Sequence, residues 1–233
     1  MTDNLTQWYL IRNEIDPKII GKVEATQSLK MTEGYDYGDQ NSVWNIGTKG
    51  FTDSSFSKVN FDKIKLEPGA IYTDLISSMV INSHSVLIIS DFLWKCLNEF
   101  RLPPTFLQEV NVNHPRLDID KKYNALYLND QYDNIDFKKS NFLIKDNNEY
   151  FIPWEAANNV KFKDKSNLES FWEKHTWKVS MKAGTLKLKG DFDLFRLHMF
   201  GGFFISEKLK KEIEHQNLTG ISFEPAENVF VGY

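Results

Sequence analysis

A chain of 233 residues with 41% hydrophobic and 14% aromatic side chains can bury a substantial core, which excludes a disordered regulatory polypeptide. Its 28 basic and 32 acidic residues leave a net charge of −4, which argues against general nucleic-acid binding. The single cysteine, Cys96, excludes an intrachain disulfide framework and a cysteine-rich zinc site. The first residues lack the basic and long apolar stretches of a secretory leader, and no apolar run approaches the roughly 20 residues of a spanning helix. A soluble, cytoplasmic protein without membrane contact is the expectation.

In chain order, residues 7–11 (QWYLI) read as an opening strand that Asp16-Pro17 breaks. Residues 33–49, rich in Gly, Asp and Asn with Tyr35, Tyr37 and Trp44 interspersed, read as a surface loop. Pro68-Gly69 marks a turn, and residues 74–80 read as a short helical turn leading into a strand at 86–89. Strands are expected at 106–112 and 123–128, punctuated by Pro103-Pro104 and His114-Pro115, with a polar connection over 129–136. A hairpin is expected from 142–144 and 150–152, a helix over 168–175, and two strands about Ala183-Gly184 within 177–188. A helix over 207–216 and a strand over 221–224 close the chain.

Two stretches echo each other. SVLIISDFLWKCLNEF and GGFFISEKLKKEIEHQ both run an apolar strand into a serine, an acid and a helical pattern. Ser90 and Ser206 lie 116 positions apart, and at that offset Leu93 falls on Leu209, Leu97 on Ile213 and Leu102 on Leu218. Upstream, Asp74-Leu75-Ile76 resembles Asp193-Leu194-Phe195. Each serine is expected to cap a helix, since its hydroxyl can accept from an orphan amide and the following acid suits the positive helix end. Phe92, Leu93, Cys96, Leu97 and Phe100 form one apolar stripe in the first helix; Leu209 and Ile213 face inward in the second, and Asn217 can end it in a left-handed cap. The pattern fits either two ordinary α/β units or an internal duplication, with possible halves 1–115 and 116–233.

The C-terminal string D-L-F…GGFFIS-E-K-L…LTGISFEP, residues 193–225, resembles the tail of immunity proteins from bacterial polymorphic toxin systems, with Ser206, Leu209, Gly220, Phe223 and Pro225 carrying the match. It covers about the last forty residues well and residues 74–110 loosely. The resemblance implies a cytoplasmic protein that neutralises a cognate toxin domain by contact, without catalysis. It names no binding residue.

Chemical motifs are otherwise weak. His84, His114, His175, His198 and His215 form no HxxxH or HxH pair, so no metal is expected. His198, between Leu197 and Met199, reads as a structural histidine. Asp130, Asp133 and Asp136 lack the glycine and spacing of a calcium loop. The run from Ile46 to Gly50 is not a phosphate loop, neither serine sits in GxSxG, and no carboxylate pair stands out. What remains is EGYDYGDQNSVWN, where Asp36, Tyr37, Asp39 and Trp44 combine rings and carboxylates suited to a basic protein partner. The sequence predicts one α+β domain with mixed or antiparallel sheets and a few short helices, no cofactor, no nucleic acid, and a toxin domain as partner. An enzyme with a site assembled from distant residues, and a protein-binding adaptor, stay open.

Overall fold

A computed structural model describes residues 7–21, 26–28, 30–31, 38–42, 59, 61, 64–78, 86–117, 119–147, 153–175 and 178–231. The chain runs β1 (Trp8–Asn13), α1 (Pro17–Ile20), β2 (Lys30–Met31), β3 (Ile64–Lys65), β4 (Leu75–Ile76), β5 (Val86–Ile89), α2 (Asp91–Asn98), β6 (Thr105–His114) and β7 (Ile119–Leu128). It continues through β8 (Asn141–Asp146), β9 (Asn158–Val160), α3 (Lys165–His175), β10 (Val179–Leu188), β11 (Leu194–Leu197), β12 (Gly202–Ser206), α4 (Glu207–His215), β13 (Ile221–Pro225) and β14 (Val229–Val231). The fold is α+β. Among the described residues the strands form three sheets, ordered β2-β3-β6-β7-β5-β4, β11-β12-β1-β13 and β14-β10-β8-β9.

Strand periodicity sorts side chains between three cores. Along β5, Val86 and Ile88 enter one core while Leu87 and Ile89 enter another, so the run VLII is apolar at every position because both sheet faces are covered. β1 does the same, sending Trp8 and Leu10 to one side and Tyr9 and Ile11 to the other. The shared core holds Leu75, Leu87, Ile89, Leu93 and Leu97 against Leu194, Phe203, Ile205, Leu209 and Ile213, which welds the two echoing stretches into one interior.

The echo is an architectural repeat with a rearranged strand. Chain order β4–β5–α2–β6–β7 builds the sheet order β4-β5-β7-β6, and β11–β12–α4–β13 builds β11-β12-β1-β13. Every pairing in both sets is antiparallel. β1 therefore occupies in the second unit the slot that β7 fills in the first, the relation of a circular permutation. The units comprise residues 74–128, and 193–225 together with 8–13. A division at 115/116 would cut the β6–β7 hairpin, whose register pairs His114 with Ile119.

Several expectations are corrected. Residues 75–76 form a strand, not a helical turn, because Leu75 and Ile76 pair with Ile89 and Ile88 and bury on opposite faces. The stretch at Ala183-Gly184 is a bulge within one continuous strand, β10, where the register against β8 shifts between Ala183 and Thr185. Phe92 leaves the expected stripe and is 70% exposed, with Lys95 over its ring; Leu93, Cys96 and Leu97 do bury. His198 is exposed, and among the described residues His114 is buried. Its Nδ1 accepts from the Arg116 and Leu117 amides, which leaves Nε2 to donate to the Ala70 carbonyl at 3.0 Å. Residues 150–152 lie outside the described residues.

Candidate functional site

The polar residues of the echo form two matched locks. Ser90 Oγ accepts from the Leu93 amide at 3.1 Å and donates to Asp74 Oδ1 at 2.7 Å. Ser206 Oγ accepts from the Leu209 amide at 3.2 Å and donates to Asp193 Oδ1 at 3.1 Å. Each aspartate turns its second oxygen toward the other unit. Asp74 Oδ2 accepts from the amide and hydroxyl of Thr219, which follows α4, at 2.8 and 3.1 Å. Asp193 Oδ2 accepts from the amide and Nε of Arg101, which follows α2, at 3.3 and 2.9 Å. Backbone bonds repeat the exchange: Asp74 N donates to Thr219 O at 3.0 Å, and Asp193 N to Arg101 O at 2.8 Å. Burial alone would raise the Asp193 carboxyl, but the Arg101 and Ser206 hydrogen bonds outweigh it and hold it below the usual aspartate range. Arg101 also pairs with Asp191.

A third tie is the buried Arg196, which donates to Leu128 O at 3.0 Å, lies 5.0 Å from the centre of the Tyr127 ring and pairs with Asp130 at 3.4 Å. Burial pushes the Asp130 carboxyl up despite Arg196 and the His198 amide. Cys96 is likewise pushed up to about 11, by burial first and by Glu212 and Glu99 after it, which suits a packing residue and not a nucleophile. These groups hold the fold together. Among the described residues no three His, Cys, Asp or Glu side chains are grouped as a metal ion would need, and no helix is long and apolar enough to cross a membrane.

Of the expected partner-binding residues, Asp36, Tyr37 and Trp44 lie outside the described residues. Asp39 is exposed; its carboxylate accepts from the Asn41 amide at 2.9 Å and its carbonyl from the Ser42 amide at 3.0 Å, a local turn.

Two surface features stand apart from these residues. The first is an apolar end. Seven large hydrophobic side chains are exposed among the described residues, and five of them, Ile15, Ile19, Ile71, Leu117 and Ile119, belong to three segments bonded to one another. The Ile71 amide donates to Ile20 O at 2.8 Å, His114 reaches Ala70 O, and Tyr72 Oη donates to Ile119 O at 2.6 Å. The five are 37 to 62% exposed. Isolated isoleucines in a sequence carry no sign of this, because the three segments are brought together only by tertiary structure.

The second feature is a segregation of charge. Residues 138–190 hold 11 lysines against six acidic residues, leaving 17 of the 28 basic and 26 of the 32 acidic residues elsewhere. Within this unit Lys145 and Lys182 lie 4.7 and 4.9 Å from the centre of the Trp154 ring. A cleft of about 520 Å³ opens where the 132–138 segment, the start of α3 and the end of β10 meet, lined in part by Asp133, Phe137, Lys138, Lys163, Lys165 and Lys189. Lys165 reaches Asp133 at 2.8 Å, and that hydrogen bond holds its ammonium above the usual lysine range.

No protein-family model matches the chain, and no curated protein matches it.

Proposed function

We propose that the protein is a non-catalytic immunity protein that binds and neutralises a toxin domain by protein–protein contact. The observation that carries this reading is the apolar end: exposed hydrophobic side chains on three segments bonded to one another gain free energy when a partner covers them. Asp193 and Ser206, two polar residues of the C-terminal resemblance, are spent on the locks and not on partner contact. Outside residues 138–190 the acidic excess favours encounter with a basic partner, such as a toxin domain that acts on nucleic acid. Asp36, Tyr37, Asp39 and Trp44 remain the proposed acidic and aromatic contacts.

The test is co-expression with the C-terminal domain of a toxin encoded beside this chain, followed by association kinetics at two salt concentrations. A one-to-one complex is expected. Ile71→Glu with Leu117→Glu should weaken it by roughly tenfold or more, mostly through faster dissociation. Asp36→Lys with Asp39→Lys should slow association most at low salt. Failure of every neighbouring toxin domain to bind would overturn the reading. Unchanged kinetics in the glutamate variant would remove the apolar end from the interface.

A further inference from the structure

We infer that the lysine-lined cleft is a binding site for a small phosphorylated organic molecule, a second site separate from the apolar end and independent of the immunity reading. Its walls are fixed by the backbone. The Asp136 amide donates to Lys187 O at 2.8 Å and the Lys189 amide to Asn134 O at 2.7 Å, so the 132–138 segment is stapled to the end of β10. α3 is anchored by the fully buried Leu168 and by Phe162, whose ring lies 5.2 Å from Phe142 and 5.3 Å from Phe171.

The charges around the cleft divide into committed and uncommitted groups. Asp133 is taken by Lys165, and Asp136 lies 3.9 Å from Lys139. Asp164 accepts from the Asn167 amide at 2.9 Å and so serves the start of α3. Lys138, Lys163 and Lys189 arrive from three different segments, are exposed, and have no carboxylate partner among the described residues. The lining carries four lysines against the three carboxylates of Asp133, Asp136 and Asp164, and a phosphate offers several acceptor oxygens to the ammonium groups of Lys138, Lys163 and Lys189. The half-buried Phe137 and the buried Ile135 give the same cleft an apolar wall, which suits an organic body attached to the phosphate. The volume matches a small-molecule site. A long nucleic acid fits less well, because the rest of the chain carries 26 acidic against 17 basic residues and would repel the strand beyond the cleft.

Isothermal titration calorimetry with pyrophosphate, ATP, adenosine and a single-stranded oligonucleotide tests this. Saturable one-to-one binding of ATP is expected, with competition by pyrophosphate, weakening at higher salt and none by adenosine. Lys138→Gln, Lys163→Gln and Lys189→Gln together should weaken ATP binding by roughly tenfold or more while leaving the melting temperature unchanged. Lys161→Gln, Lys174→Gln and Lys178→Gln, from the same basic stretch but not among the residues lining the cleft, should leave binding intact. If the triple variant is unstable, Lys163→Gln alone should still weaken ATP. The inference is overturned by the absence of saturable ATP binding, by equal losses in the two triple variants, or by tighter binding of the oligonucleotide than of ATP. Toxin binding that persists in the cleft variant keeps this result separate from the immunity reading.

Discussion

Ser206 satisfies two groups at once, the Leu209 amide at the start of α4 and the carboxylate of Asp193. Ser206→Ala should therefore destabilise the fold by about 1 kcal/mol for the lost cap and somewhat more for the carboxylate that loses a donor; a urea titration checks this. Binding of the proposed toxin partner should stay close to wild type, since the serine is buried. Asp193 makes a pH-dependent contribution. Its folded carboxyl titrates below the ordinary 3.8, so the unfolded chain takes up the proton first as pH falls. The stabilisation is full above the ordinary value and is lost as pH drops through the folded one. Asp193→Asn should cost roughly 1.5–3 kcal/mol near neutrality, and urea midpoints should show the gap to wild type narrowing as the pH falls below the ordinary aspartate value. The serine caps were legible because a cap is local: strand, hydroxyl, acid and helical stripe lie within a few residues. The grip of Arg101 on Asp193 was not, because it spans 92 positions and crosses from one unit to the other.

Elements were legible where one face pattern dominated and obscure where a short strand was buried on both sides. β6, β7 and α4 follow their apolar patterns, α2 follows its own except at the exposed Phe92, and Asn217 closes α4 in the left-handed region at φ 55°. β4 has only two residues, one to each core, so it has no periodicity to read. The turn between α4 and β13 shows how one residue governs the junction of elements. Gly220 has φ +83°, and a Cβ there would stand 2.2 Å from Leu75 O and 2.6 Å from Thr73 Oγ1. Its neighbour Thr219 is the residue that holds Asp74, so the glycine lets one unit's turn press against the other unit's first strand. Gly220→Ala should cost roughly 3 kcal/mol or more, combining left-handed strain with a backbone clash that must push β4 and β13 apart. Thermal unfolding would show it, and a shift as small as that of an ordinary surface substitution would contradict the close approach.

At the scale of the whole molecule the permuted strand makes a prediction that neither unit makes alone. β1 lies between β12 and β13, pairing Tyr9 with Ile205 on one side and with Pro225 on the other, and it buries Trp8 completely. In the other unit the equivalent strand, β7, is tied to β6 by a tight turn, so its pairing is local in sequence. β1 instead closes on strands about two hundred positions away, which is why the sequence showed the echo of strand, serine and helix, and an opening strand, but not that this strand completes the second unit. Closing so long a loop costs entropy before its contacts form, so the second unit should be the late-folding one. A chain beginning at Asp16 would expose the backbone edges of β12 and β13 and the apolar faces that Trp8 and Leu10 cover, and should not fold cooperatively. A peptide spanning residues 7–15, added in excess, should restore cooperative folding by strand addition, because β1 contributes a single strand whose two partners, β12 and β13, lie in one contiguous stretch of the chain. Near-ultraviolet circular dichroism of the shortened chain with and without peptide would check it, with a Trp8→Ala peptide as the control expected to fail. A shortened chain that folds cooperatively on its own, or is rescued equally by the control peptide, would show that β1 is not the strand completing the second unit.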